Sequence, residues 1–108
     1  MMQSVQVDTV LRALSDPTRR AVFERVARSE LNVAELTRES GVTQGAVSQH
    51  LKLLKLAGLV SERQQGRNVF YRAKLEGLAP LFDWLGHYDA FWRERFADLR
   101  TLLKEIDP

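Results

Sequence analysis

Gln44, Ser48 and Gln49 place two amides and a hydroxyl within one short stretch, TQGAVSQHLKLLKLAG from Thr43 to Gly58, and Lys52 and Lys55 add two ammonium groups about a turn further on. Amides and hydroxyls both donate and accept, so they suit the edges of nucleic-acid bases, where a glutamine can pair bidentately with adenine; ammonium groups suit phosphate. At 3.6 residues per turn these polar groups fall on one side of a helix. Val47, Leu51 and Leu54 fall on the other, with Ala46, His50, Leu53 and Ala57 widening the apolar face. The outer face carries no carboxylate, which suits a polyanion with readable edges. Thr43 stands where an N-cap belongs and Gly58 where a C′ glycine belongs, so both ends of the helix are marked. Gly45 would let the start of the helix approach a backbone closely, and the free N–H groups there would join the lysines in holding phosphate. His50 lies at the inward margin, as a core histidine or as a phosphate contact, and has no partner for catalysis.

The neighbouring segments must position this face. Asn32, with Glu35 three residues later, forms a capping-box pattern that opens a helix from Val33 to about Ser40, ended by Gly41. Only Val42 and Thr43 separate that glycine from the next helix, so the two read as a helix-turn-helix whose second member is the reading element. Many small helical proteins contain such corners without touching DNA. After Gly58 the period changes from 3.6 to 2. Residues 59–64 and 68–74 read as two strands, with Gln65, Gly66 and Arg67 as the hairpin tip. An isolated hairpin is marginal, so this one must lean on the helices. Arg67 at its tip, flanked by Arg63, makes it a basic wing that would border the minor groove, where narrow A·T-rich segments attract arginine.

Towards the N-terminus, Val7, Val10, Leu11 and Leu14 follow helical spacing. Asp16 and Pro17 then open a second helix whose buried side is Val22, Phe23, Val26 and Ala27. Arg19, Arg20, Arg25 and Arg28 are expected at solvated positions of that helix, with a second role in contacting phosphate open to Arg19 or Arg20. From about 78 to 106 a single long helix is predicted, carrying Leu78, Leu81, Phe82, Leu85, Trp92, Phe96, Leu99, Leu102, Leu103 and Ile106, with Pro80 in its first turn. Such a helix would extend about 42 Å and present more apolar surface than one small domain can cover. Either it wraps its own domain, or a second copy covers it through a two-fold interface. The second reading places Val7, Val10, Leu11, Leu85, Tyr88, Trp92, Phe96, Leu99 and Leu103 at a dimer interface. Trp84, Tyr88 and Trp92 are either part of that interface or the lining of a small apolar ligand site.

Length and composition set the bounds. The chain of 108 residues, 44% apolar and 28% charged, is expected to form a single domain over 1–108. No apolar run approaches the roughly 18 residues of a membrane span and no signal pattern opens the chain, so a cytoplasmic location is expected. The net charge is only +2, but it is unevenly spread: residues 43–74 hold six cations and one anion, and residues 77–108 four cations and six anions. A basic middle is the footprint of nucleic-acid binding, although a solvated basic face looks similar. Glycine-rich phosphate loops, Ser/His/Asp order and a carboxylate pair in a shaped context are all lacking, which argues against an enzyme. There is no cysteine, so thiol redox sensing and thiolate metal ligation are excluded.

Three separated motifs, ALSDPTRR at 13–20, VSQHLKLLKLAGLV at 47–60 and GRNVFYRA at 66–73, resemble in consistent order those of the ArsR-type winged-helix transcriptional repressors. The resemblance covers roughly residues 7–75. The segment HYDAFWRERF at 87–96 is similar to a subgroup of the family that lacks the metal sites. The resemblance implies a mainly α fold of about five helices with a two-stranded wing, dimeric through its N-terminal and C-terminal helices. It also implies a homodimeric autorepressor that binds a palindromic DNA operator near its own promoter and releases it when a signal arrives; the sequence leaves that signal open between a small apolar molecule, a partner protein and nothing beyond concentration. The implied DNA contacts are Thr43, Gln44, Gly45, Ser48, Gln49, His50, Lys52, Lys55, Arg63 and Arg67. The family's cysteine pair lies in a stretch written ELCVCDL; here it is ELNVAEL, with Asn32 and Ala34 where the thiolates would be, so the soft-metal site is absent. Asp83, His87 and Asp89 lie where the family's zinc site would start, but Arg93, Glu94 and Asp98 occupy the later turns. No metal and no cofactor is therefore expected. The rival reading is a winged-helix adaptor that uses the same surfaces for a partner protein.

Overall fold

The computed structural model describes residues 2–106, with side-chain surroundings from Gln6 onward. Helix α1 (Met2–Leu14) is followed by α2 (Pro17–Arg28), α3 (Val33–Arg38) and α4 (Gln44–Leu56). Strands β1 (Val60–Gln65) and β2 (Asn68–Ala73), a 3₁₀ turn at Leu75–Leu78, α5 (Ala79–Gly86) and α6 (Asp89–Ile106) complete the order. The chain is thus a mainly α winged helix-turn-helix.

Local sequence explains the helix ends. Asp16 accepts a hydrogen bond from the Arg19 N–H at 3.0 Å ahead of Pro17, and Thr43 Oγ1 accepts from the Ala46 N–H at 3.1 Å. The capping box is complete: Asn32 Oδ1 accepts from Glu35 N at 2.8 Å, and Glu35 Oε1 accepts from Asn32 N at 2.9 Å. At the far end of α4, Gly58 N donates to Lys55 O at 3.0 Å and Leu59 N to Leu54 O at 2.9 Å, the paired bonds of a Schellman stop.

Arginines hold the helices together in a way the expectation of solvated positions overlooked. Arg19 donates to the carbonyls of Ala13 at 2.5 Å and Arg12 at 3.1 Å, and Arg20 to that of Leu14 at 2.7 Å, so both satisfy the free end of α1. Arg25 reaches the carbonyls of Leu36 and Glu35 at 2.8 and 3.2 Å and ties α2 to α3.

Val22, Phe23 and Val26 of α2, Leu36 of α3, and Val47, Leu51 and Leu54 of α4 pack with Val10, Ala13, Leu59 and Val60 into one core. Val7 is buried as well. This corrects the expectation for Val7 and Val10: their own protomer already covers them, which removes them from the surface a second copy could meet, whereas Leu11 is exposed.

The hairpin is antiparallel, with Gln65 opposite Asn68 and Glu62 opposite Tyr71. Its turn is Gly66–Arg67, with φ +63° at Gly66 and no positive φ at Arg67, the arrangement of a two-residue II′ turn. Leu31 and Tyr71 exchange backbone hydrogen bonds of 3.0 and 2.8 Å. The wing therefore rests on the α2–α3 connection through a one-residue third strand.

The C-terminal segment differs from the single helix expected over 78–106. It breaks at His87–Tyr88, where His87 N bonds Trp84 O and Tyr88 N bonds Leu85 O, tight i to i−3 bonds that follow Gly86; Asp89 then opens α6. Six α-helices result among the described residues rather than five. Leu78 and Leu81 pack against the core and α5 lies on α1, but every residue from Phe82 to Ile106 is exposed. The radius of gyration is 18.0 Å. A compact chain of this length would have about 13 Å, so α6 projects from the body.

Candidate nucleic-acid interface

The capped ends of α4 and the burial of Val47, Leu51 and Leu54 fix its rotation, and Gln44, Gly45, Ser48, Gln49, Lys52 and Lys55 are all exposed on it. Beside them stands the wing with Arg63 and Arg67, both exposed. The Lys55–Glu62 contact joins the end of α4 to β1, so the exposed row of the helix and the hairpin belong to neighbouring elements.

These groups are not equally free. Lys52 and Arg67 take part in no ion pair among the described residues. Lys55 Nζ lies 2.6 Å from Glu62 Oε1 across the gap between α4 and β1. Arg63 is tied three ways: to Glu30 on the α2–α3 connection, to Gln65 Oε1 at 2.9 Å, and over the Phe70 ring at 5.3 Å. The hydrogen bond from Lys55, aided by its charge and by the Tyr71 hydroxyl, holds the Glu62 carboxyl below its ordinary range. Arg63 does the same for Glu30. Tyr71, partly buried and facing the Glu62 charge, is pushed up.

Thr43 is exposed, with its hydroxyl engaged as the cap of α4. His50 is half-buried, its Nδ1 is enclosed without a hydrogen-bond partner, and it lies close enough to Asp16 to lower that carboxyl's pKa, behind the main contributions from the backbone. It is therefore set apart from the exposed polar row. Among the described residues no group of three or more His, Asp or Glu converges as a metal site would, and Asp83, His87 and Asp89 are each exposed.

Sequence reasoning missed Glu30 and Tyr71 and gave Glu62 no role. Glu62 had one visible signal, as the single anion of a basic segment. Glu30 had none, because its partner lies 33 residues away.

With this geometry in place, comparison with known proteins is direct. Residues 16–62, spanning α2 to the start of the wing, match the model of the bacterial regulatory protein, arsR family. The chain is 47% identical over 96 residues to the HTH-type transcriptional regulator Rv2034 of Mycobacterium tuberculosis, covering 89% of this chain and 87% of that protein. Among solved structures, an ArsR-like transcriptional regulator from Rhodococcus sp. RHA1 superposes with a TM-score of 0.76 at 27% identity, over 94% of this chain and 96% of that one. The homodimeric winged helix-turn-helix DNA-binding domain Mb0332 of Mycobacterium bovis superposes with a TM-score of 0.63 at 29% identity, over 79% of each chain. A regulator's fold with an exposed row of amides, a hydroxyl and cations on α4 agrees with these relatives. The chain belongs to the ArsR family and is a DNA-binding transcriptional regulator.

Proposed function

We propose that the protein acts as a homodimer that binds a palindromic operator near its own promoter and represses transcription from it. The observation that carries the DNA contacts is the exposed, carboxylate-free outer face of α4, together with a wing-tip arginine that takes part in no ion pair among the described residues. In this reading Gln44, Ser48 and Gln49 meet base edges in the major groove, Gly45 lets the start of α4 come close, Lys52 and Lys55 hold phosphate, and Arg67 borders the minor groove. Thr43 shapes the start of the helix, and Arg63 orients the wing and adds a phosphate contact. His50, turned inward, is left out of the contact set.

The dimer is supported by the apolar surface that the chain leaves uncovered. Leu85, Tyr88, Trp92, Phe96, Leu99 and Leu103 are all exposed on α5, α6 and their junction, and Leu11 is exposed on α1. So large an apolar patch on a single chain marks an interface. The Mycobacterium bovis domain of the same fold is homodimeric. The edge-on contacts of Trp84 with Tyr88 at 5.9 Å and of Phe91 with Trp92 at 5.1 Å suit the centre of such an interface. Two-fold symmetry would set the two α4 helices about 34 Å apart, one turn of DNA. A dimer seated at its own promoter excludes polymerase, hence repression. Among the described residues no helix is long and apolar enough to cross a membrane; we place the protein in the cytoplasm with its DNA. With no cysteine, release does not run through thiolate-bound metal; a small molecule or a partner protein supplies it.

Footprinting of DNA upstream of the gene tests this reading. Two protected half-sites with inverted sequences, spaced by one helical turn or a small multiple, are expected. Protection of a single unsymmetrical site, or none, would exclude the palindromic operator.

A further inference from the structure

Glu62 is the one anion between Thr43 and Lys74, a stretch with six cations, and it sits on one of them. Glu30 holds Arg63 in the same manner. Both cations stand on elements that face DNA in the reading above, yet each is occupied by a carboxylate of its own chain. We propose that Glu62, and to a lesser degree Glu30, act as internal substitutes for phosphate: they position Lys55 and Arg63 in the free protein, hand them over when DNA binds, and so set the affinity and salt dependence of binding without touching DNA.

The two halves of each pair differ in freedom. Glu62 stands opposite Tyr71 in the hairpin register, while the Tyr71 backbone is bridged to Leu31, the neighbour of Glu30. The backbones that carry the two carboxylates are thus joined through one bridge, and their side chains are less exposed, at 39% for Glu62 and 27% for Glu30. The cations sit at the ends of long side chains that are 52% exposed for Lys55 and 51% for Arg63. An exposed ion pair is weak and exchangeable, so a phosphate arriving at the end of α4 can take the ammonium while the carboxylate stays in place. Arg63, also bonded to Gln65 and set over Phe70, exchanges less readily.

The exchange has a signature in salt. A lysine that neutralises a phosphate releases about 0.9 of a condensed cation from duplex DNA. A carboxylate left beside the phosphates repels them and opposes part of that gain. Contact through Lys55 therefore adds less to the salt slope while Glu62 is present.

The proposal rests on α4 and the wing being the DNA-facing surface, and the test keeps the two apart. The full chain, Glu62→Gln, Glu30→Gln, Lys55→Met and the double variant Lys55→Met/Glu62→Gln are titrated with a duplex carrying the footprinted upstream sequence, from about 50 to 200 mM salt. Glu62→Gln is expected to bind about two- to fivefold tighter at low salt and to steepen the slope by a fraction of the roughly 0.9 that a full phosphate contact gives, with a smaller change for Glu30→Gln. In the Lys55→Met background, Glu62→Gln is expected to change neither quantity. Weaker binding or an unchanged slope for Glu62→Gln, with an unaltered melting curve, overturns the exchange. If Lys55→Met itself binds like the parent chain, the placement of Lys55 at the DNA fails, and the exchange fails with it.

Discussion

A Cβ built on Gly77 would lie 2.0 Å from the carbonyl oxygen of Gly58. The 3₁₀ turn that begins the C-terminal segment is thus pressed against the turn that stops α4, and Lys74 N donates to Leu59 O at 2.8 Å beside the contact. Because the opposing atom is backbone, no rotamer change relieves the overlap. Gly77→Ala is expected to destabilise the chain by about 1–3 kcal/mol, read as a lowered midpoint of thermal or urea unfolding. An unchanged midpoint would mean that the segment after β2 does not pack on the α4 stop.

That contact also shows where sequence reasoning reaches its limit. Thr43, Gly58 and the Asn32/Glu35 box are legible because each acts on residues three to five positions away, and local spacing is what a sequence displays. Gly77 with Gly58, Arg25 with the α3 carbonyls, and Glu30 with Arg63 depend on how the helices dock, which no local pattern encodes. The break at His87 was hidden for a different reason: Leu85, Tyr88, Trp92, Phe96 and Leu99 keep helical spacing through it, so the apolar stripe continues where the hydrogen-bond ladder does not. Val7 and Val10 lie on the same apolar side of α1 whether a second copy or the chain's own core covers them, and only the packing decides.

The two carboxylates paired with Lys55 and Arg63 carry a pH dependence of definite sign. The folded pKa values of Glu62 and Glu30 are lowered, chiefly by hydrogen bonds from Lys55 and Arg63. Their contribution to stability is therefore complete above the ordinary glutamate value of about 4.3 and is lost as pH falls through the lower folded values. Carboxyl chemical shifts followed by NMR should show both groups titrating below that ordinary value, and Lys55→Met should return Glu62 towards it. Midpoints at or above the ordinary value in the parent chain would show that neither ion pair persists in solution.

The division of labour on the DNA face predicts two kinds of variant. Arg67 stands at the wing tip with no ion pair among the described residues, so Arg67→Ala should weaken binding to operator and to scrambled duplex alike and reduce the salt slope by about one. Gln44→Ala or Ser48→Ala should instead cost about 1–3 kcal/mol on the operator and little on scrambled DNA, narrowing the ratio between them. Competition titrations with both duplexes separate these patterns. The reverse result would exchange the roles of α4 and the wing.

Dimerisation through α6 is the part of the proposal with the largest expected effect. Phe96, Leu99 and Leu103 follow one another at helical spacing and are exposed along α6, which makes no substantial contact with the rest of its own chain. A glutamate at position 99 would bring two carboxylates into a two-fold interface without disturbing the core that folds the protomer. Leu99→Glu is therefore expected to give a folded monomer by analytical ultracentrifugation, with near-native helix content by circular dichroism. Loss of the second reading head should then lower operator affinity by a hundredfold or more, because bivalent binding exceeds that of either half-site by about 10²–10⁴. If Leu99→Glu remains dimeric and binds the operator normally, the second copy docks elsewhere and the exposed face of α6 serves another partner.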